Sequence, residues 1–314
     1  MRIVNKTALR IGTRGSALAL WQAEWVKARL EHEWTDLRVE LVPIKTSGDR
    51  IQDVSLAAIG GKGLFVKEIE DALLSGSVDL AVHSIKDLPG DLPPGLTLSA
   101  IPAREDPRDV LISKNGETLT QLPVGTRVGT SSLRRQALVL HFHPGLRIEL
   151  LRGNVDTRLR KQREGIVDAT ILAVAGLKRL GLMPPNSQIL DEREFLPAIG
   201  QGALGIETRA HDTEVIARVR PLHHEVTAVA ITAERAFLRR MGGSCQTPLA
   251  AKGNIEDGRV HLRALVASPD GTTVIRGEER GVNDAAEEVG WILAERLLAQ
   301  GGEEILRGLQ KSKT

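Results

Sequence analysis

The sequence predicts an α/β protein: two doubly wound domains followed by a small α+β domain with a three-stranded antiparallel sheet. Three observations carry this prediction. Short apolar, β-branched runs alternate with helix-length segments through the first two thirds, the pattern of parallel strands covered by helices. Two motifs of the first third recur, in the same order, in the middle third. In the last third the alternation gives way to turn-separated apolar segments. With 314 residues there is room for two or three domains, and 41% hydrophobic against 26% charged residues places the chain among folded rather than disordered proteins.

Each element follows in order. Leu9-Arg10-Ile11 runs through Gly12-Thr13-Arg14-Gly15-Ser16 into a helix over 17–30. A strand over 39–44 precedes the loop Thr46-Ser47-Gly48-Asp49, and Gly60-Gly61-Lys62-Gly63 opens a helix over 64–74. After Gly76, residues 78–83 read as a buried strand that ends at Ser84-Ile85-Lys86-Asp87. In the middle third, Val128-Gly129-Thr130-Ser131-Ser132 and a helix over 133–141 echo the first loop and its helix. Gly165-Ile166-Val167-Asp168 and a strand over 169–174 echo Gly76-Ser77-Val78-Asp79 and its strand. A helix over 227–240 stops at Gly242-Gly243, where a C-cap is expected. Glu256-Asp257-Gly258 and Pro269-Asp270-Gly271 then separate three strands, the clearest over 260–267, and a last helix covers 285–300. The segment 46–63, rich in glycine and charge, reads as a mobile lid.

The predicted domains are 1–102 with 203–220, 103–202, and 221–314; Pro102 and Gly200-Gln201-Gly202 are the crossing points. A net charge of +2 is too small to signal a nucleic-acid partner. A phosphate-binding Gly-x-x-x-x-Gly-Lys-Ser/Thr loop and interleaved aromatics are both lacking. No run of 18 apolar residues spans a membrane, and residues 1–9 lack the core and cleavage site of a signal peptide, so a cytoplasmic protein is expected. A single cysteine excludes an internal disulfide. The pairs His141/His143 and His223/His224 lack companions at ligand spacing, so no metal site is expected.

The chemistry lies in loops at strand ends, where helix N-termini offer free N–H groups. The Gly-Thr loops at 12–16 and 129–132 suit an anion, although their hydroxyls equally suit plain helix caps. Basic residues beside them tip the balance. Arg14 lies in the first loop and Arg134-Arg135 follow the second; Arg152 and Arg158 flank a strand-to-helix junction, and Lys178-Arg179 follow the strand after it. Guanidinium groups pair bidentately with carboxylates, so a multiply anionic small molecule is implied. Asp87 is the one acid among these bases, a proton donor or cation holder on one reading and a capping aspartate on the other. His83 reads as a packed strand residue.

Gly12-Thr13-Arg14-Gly15-Ser16 with Leu18-Ala19-Leu20-Trp21-Gln22, then Gly60-Gly61-Lys62-Gly63-Leu64-Phe65, and the run from Ala81 to Pro89 resemble motifs of the porphobilinogen deaminase (hydroxymethylbilane synthase) family. So do Arg104-Glu105-Asp106-Pro107-Arg108-Asp109, 128–135, 151–154, 173–180, 197–205 and 243–248, in family order across nearly the whole chain. The resemblance implies two periplasmic-binding-protein-like domains and a third, cofactor-bearing one. It implies a monomeric transferase that deaminates four porphobilinogen molecules and joins them head to tail for tetrapyrrole biosynthesis. The primer is a dipyrromethane cofactor, bound to Cys245 by a thioether. Asp87 is implied as the catalytic acid–base. Ser84, Lys86, Asp87, Thr130, Ser131, Arg134, Arg135 and Arg158 are implied as cofactor contacts. Arg14, Ser16, Lys62, Arg152, Arg158, Arg179 and Gln201 are implied as substrate contacts. Two departures stand out: Ala58 where the family often has lysine, and Gly243-Ser244-Cys245 for the usual Gly-Gly-Cys. A two-lobed anion receptor is the rival reading, but it leaves Cys245 and the third domain unexplained.

Overall fold

A computed structural model describes residues 6–50, 66–242 and 247–311. In chain order the elements begin with β1 (Ala8–Thr13), α1 (Ala17–Glu33), β2 (Arg38–Pro43), the single turn α2 (Ser47–Arg50), α3 (Lys67–Leu74), β3 (Leu80–Ser84), β4 (Leu96–Ala100) and β5 (Asp109–Ser113). Next come β6 (Arg127–Gly129), α4 (Leu133–Phe142), β7 (Arg147–Glu149), α5 (Val155–Arg163), β8 (Ala169–Ala173), α6 (Val174–Leu180), β9 (Ser187–Ile189) and β10 (Leu204–Arg209). The last are α7 (Thr213–Val219), α8 (Glu225–Arg240), β11 (Leu249–Glu256), β12 (Arg259–Ala267), β13 (Val274–Val282), α9 (Ala286–Leu297) and α10 (Glu303–Lys311). The chain divides into two compact units. Among the described residues one holds 6–50, 66–105 and 203–228, and the other 106–202 and 229–311.

The first unit is built on a five-stranded sheet in the order β2-β1-β3-β10-β4. β1 runs parallel to β2 and β3, whereas β10 is antiparallel to both β3 and β4. Alternation along β1 sends Leu9 and Ile11 to one face, where Ala23, Val26 and Leu30 of α1, spaced three and four apart, close over them.

The second unit carries two sheets. One has the order β7-β6-β8-β5-β9, the other is the antiparallel β11-β12-β13. β5 is antiparallel to β8 and β9, while β6 is parallel to β7 and β8. This order reproduces that of the first unit strand for strand, with β5 in the place of β10. One core cluster joins Leu138, Ile171 and Phe195 to Ala250, Leu265 and Ala267 of the antiparallel sheet. The other face of that sheet buries Leu262 and Val266 against Phe237 of α8 and Leu293 of α9. Two glycines permit this packing. A Cβ at Gly290 would sit 2.2 Å from the Ala233 carbonyl oxygen, and one at Gly271 (φ +72°) would sit 2.5 Å from that of Ala137.

The echo between the thirds has a physical basis in a repeated clamp. Arg10 donates through its backbone N–H and Nε to Asp79 Oδ2, at 2.9 and 3.1 Å, and through Nη2 to the Gly76 carbonyl. Arg127 donates to Asp168 Oδ2 at the same two distances and through Nη2 to the Gly165 carbonyl. Each clamp ties one strand, β1 or β6, to the turn before the parallel strand beside it, β3 or β8, and that turn has a glycine at φ +75° in both units.

Three features differ from the sequence reading. The sheets are mixed rather than parallel, because β10 and β5 enter antiparallel. Strands β4, β5 and β10 were not read as strands. The helix expected over 285–300 ends at Leu297, passes through a kinked turn with Gly301 at φ 110°, and continues as α10. Among the described residues no helix is long and apolar enough to cross a membrane.

Candidate functional site

In the first unit the predicted site residues converge on one pocket. Arg14 and Ser16 reach it from the β1–α1 junction, and Ser84 and Asp87 from the end of β3 and the 3₁₀ turn after it. Gln22 of α1 lines the same pocket and donates through Nε2 to Ser84 Oγ at 3.0 Å, which fixes that hydroxyl. Val66 and Ile69 supply the apolar wall from the start of α3. Parallel pairing of β1 with β3 brings both loops to the carboxyl ends of adjacent strands, where a doubly wound sheet presents its ligand site. Ser16 Oγ also accepts from the Ala19 N–H at 3.3 Å and caps α1, so the capping reading of this serine holds beside any ligand role. Lys86 lies half-buried in the 3₁₀ turn. Gly205 on β10 faces the same turn; a Cβ there would stand 2.8 Å from the Leu98 side chain and 3.2 Å from that of Ile85, so the Leu98 side chain would have to shift.

In the second unit the equivalent junction is organised by an acid not singled out from the sequence. Asp109, fully buried at the head of β5, accepts from Arg135 Nη2 at 2.7 Å, pairs with Arg134 Nη1 at 2.7 Å and accepts from Gln201 Nε2 at 3.0 Å. Burial opposes its ionisation, but the two guanidiniums outweigh burial and hold the carboxyl well below the usual range. Burial in turn pulls the Arg134 pKa down against the attraction of Asp109. Arg135 Nη1 donates to the Ile171 carbonyl and Arg134 Nη1 to that of Leu196, both at 2.8 Å. Two cations on one anion leave a buried excess of one positive charge at the α4 N-terminus, where Ser132 caps the helix by accepting from the Arg135 N–H. Arg134 Nε has no hydrogen-bond partner among the described residues. Thr130 is buried and Ser131 half-buried beside this cap. The signal for Asp109 was a lone acid opening the apolar run Val110-Leu111-Ile112, an expensive place for a carboxylate without buried partners.

The other arginines lie at neighbouring loops of this unit. Arg158, on α5, donates from Nε to the Gly153 carbonyl at 2.7 Å, folding back over the loop that carries Arg152. Arg179, near the end of α6, donates to the Gly202 carbonyl at 2.8 Å. Gln201 is buried and also donates to the Pro107 carbonyl, so it links the 200–202 loop to the start of β5. Cys245 and Lys62 lie outside the described residues, as do Ala58 and residues 51–63 of the expected lid. The described start of that segment is anchored: Thr46 is buried and the Ser47 N–H donates to Glu68 Oε1 at 2.8 Å.

Comparison with known proteins gives this arrangement its family. Residues 9–217 match the family model described as "Porphobilinogen deaminase, dipyromethane cofactor binding domain", and residues 228–299 match "Porphobilinogen deaminase, C-terminal domain". The chain is 54% identical over 311 residues to the porphobilinogen deaminase of Syntrophotalea carbinolica, covering 99% of each. It is 53% identical over 298 residues to that of Pelobacter propionicus, covering 95% of this chain and 96% of the relative. Among solved structures it is similar to an ancestral cationic amino acid solute binding protein, with TM-score 0.43 and 17% identity over 69% of this chain and 88% of that one. At that identity and coverage the sequence match settles the matter: the chain belongs to the porphobilinogen deaminase family.

Proposed function

We propose that Asp87 is the acid–base group of this chain, that Cys245 holds the dipyrromethane through a thioether, and that the arginines of the loops take its carboxylates and those of the substrate. As a porphobilinogen deaminase the chain is a transferase: it deaminates four porphobilinogen molecules, couples them head to tail and releases hydroxymethylbilane. The donor set suits the cofactor. A dipyrromethane made from two porphobilinogen units carries two acetates and two propionates, and the loops supply guanidiniums, hydroxyls and helix N-termini, with Arg134 Nε left as a buried donor to spare. When bound, the dipyrromethane supplies the pyrrole carbon to which each new ring is joined.

The residues divide the remaining work. Ser84, Lys86, Thr130, Ser131, Arg134, Arg135 and Arg158 are assigned to the cofactor, and Arg14, Ser16, Lys62, Arg152, Arg158, Arg179 and Gln201 to the substrate and growing chain. Loss of ammonia from an aminomethylpyrrole requires a proton on the departing nitrogen and leaves positive charge on the ring. The Asp87 carboxyl can deliver that proton, and as a carboxylate it then offsets the cation; a positioned acid–base group contributes ~10²–10⁴-fold. Gln22 keeps the Ser84 hydroxyl oriented beside it. A thiolate is the side-chain nucleophile best suited to capture the resulting electrophile, which is the reason to place the primer on Cys245.

The observation that carries this reading is the pocket itself: one carboxylate, Asp87, facing a cavity whose other polar side chains are a guanidinium, an imidazole, hydroxyls and an amide. Intact-protein mass spectrometry tests it. The wild-type chain is expected to carry the mass of two linked pyrroles, and Cys245→Ser to fold without it; a normal adduct on the serine variant removes Cys245 from the site.

The domain organisation proposed with this function is 1–102 with 203–220, 103–202, and 221–314, the last carrying Cys245. The reading also takes the chain to act as a cytoplasmic monomer without a nucleic-acid partner, in keeping with its small net charge of +2. Light scattering on the loaded enzyme checks the monomer.

A further inference from the structure

We infer that Glu70, His83 and Glu207 form a proton-holding cluster behind the pocket, in which Glu70 takes up or releases one proton to solvent and so resets the negative charge behind Asp87. The three side chains come from α3, β3 and β10 of the first unit and are 7%, 5% and 0% exposed. Antiparallel pairing of β3 with β10 sets His83 opposite Gly205, two residues from Glu207. His83 Nε2 bonds to Glu207 Oε2 at 2.9 Å, and His83 itself lines the pocket with Ser84 and Asp87.

Two features mark the cluster as more than a structural ion pair. Among the described residues Glu70 Oε1 and Glu207 Oε1 are both buried without a hydrogen-bond partner, so the described site holds more acceptor capacity than it has donors. A proton on one carboxyl supplies the missing donor and removes one of two neighbouring negative charges. Burial pushes the Glu70 carboxyl up to about 7; Glu207 and Asp71 add to the rise, and His83 opposes it. The remaining charges on elements packed against α3 are committed elsewhere. Arg10 of β1 is bound to Asp79, and Arg209 of β10 donates to Asp212 and to the Leu73 and Val78 carbonyls. β4 carries no ionisable side chain. Glu70 therefore answers mainly to Glu207 and His83.

The consequence for catalysis has a definite sign. Below neutrality Glu70 is uncharged. Above it a second carboxylate stands behind the pocket wall, and a cationic pyrrole beside Asp87 is stabilised. The turnover rate at saturating substrate then rises with pH through about 7. Glu70 is a positioning residue, since it does not line the pocket. This inference rests on Asp87 as the reacting group, and the test separates the two.

Infrared difference spectroscopy of the loaded enzyme without substrate reads the proton directly. The wild type is expected to show a protonated-carboxyl C=O stretch that disappears as pH is raised through about 7. The band should be absent in Glu70→Gln and present in Asp87→Asn. Its absence from the wild type, or its survival in Glu70→Gln, overturns the cluster whatever Asp87 does. Turnover against pH then tests the coupling. The inflection near 7 should vanish in Glu70→Gln at unchanged KM and return in Glu70→Asp. Loss of the band without change in the profile overturns the link to the pocket. Near-normal turnover in Asp87→Asn sinks the Asp87 assignment while leaving the infrared result to judge the cluster.

Discussion

Asp87 and Asp109 are both aspartates at strand ends, and their surroundings differ. Asp87 stands half-buried at an open pocket, where a proton and a developing cation can reach it. Replacing it with asparagine keeps the shape but removes both the proton and the charge. Asp87→Asn should therefore lower kcat by ~10²-fold or more with KM little changed, and Asp87→Glu should retain more activity than the amide. Steady-state kinetics on folded, cofactor-loaded variants checks this; lowered thermal stability with near-normal kcat would make Asp87 a structural residue. Asp109 is fully buried and paired with two guanidiniums. Asp109→Asn would strand two buried cations, which typically costs about 3–5 kcal/mol when one partner of a buried pair is removed. Calorimetry should show a large drop in Tm, and mass spectrometry a loss of bound cofactor, because Arg134 and Arg135 lose the anchor that aims them.

At the scale of elements, the loops that follow β1 and β6 repeat one device: a glycine-containing turn, a serine cap, and a helix that starts at a strand end. Each strand-to-helix junction brings N–H groups and an arginine to the strand end of its own unit. The second unit adds arginines on α5 and near the end of α6, Arg158 and Arg179, which donate to the Gly153 and Gly202 carbonyls. On the proposed reading these arginines take the carboxylates of the growing chain. Arg152→Leu, Arg158→Leu and Arg179→Leu should therefore leave the primer assembled but stall elongation, with partial chains visible by mass. Each lost charge-assisted contact is worth roughly 1.5–3 kcal/mol, or ten- to a hundredfold in a step. Arg134→Leu and Arg135→Leu should instead block primer assembly. Normal elongation in all five variants would remove the arginines from the site. The Ser132 cap provides a control: Ser132→Ala should cost ~1 kcal/mol of stability.

For the whole molecule, the titrating groups set a stability profile with two flanks. Asp79, Asp109 and Asp212 have folded pKa values held below the ordinary carboxylate range; burial opposes ionisation in each, and cationic partners outweigh it. A depressed folded pKa contributes stability that is present above the unfolded value, near 3.9 for aspartate, and is lost as pH falls through the folded value. Glu70 works in the opposite sense. Its folded pKa of about 7 lies above the unfolded value, so stability falls as pH rises between the two and stays lower above 7. Stability should thus be greatest at mildly acid pH, and Glu70→Gln should raise Tm at pH 8 relative to wild type while changing it little near pH 5. Thermal melts across this range check the sign; an unchanged Tm difference from pH 5 to 8 would place the Glu70 proton elsewhere.

Local physics made much of this chain legible from residues alone. The Gly-Thr loops, the serine caps, the turns at Gly76 and Gly165 and the three turn-separated strands each follow from propensities and backbone freedom within a few residues. The motif resemblance supplied the family, which the comparisons bear out; the roles of Asp87 and Cys245 that it implies are proposals. What escaped were features assembled from distant segments. β10 enters the first sheet more than a hundred residues after β3, and nothing near Leu204 announces the antiparallel neighbours that pair with it. Asp109 reads as part of a motif without a role until folding pairs it with Arg134 and Arg135, and nothing in the sequence singles out Glu70 and Glu207, which folding removes from water. Sequence determines which groups are available and how each short segment prefers to bend. Only tertiary structure decides which charges share a low-dielectric interior, because the energy of a buried charge is set by its neighbours in space rather than along the chain.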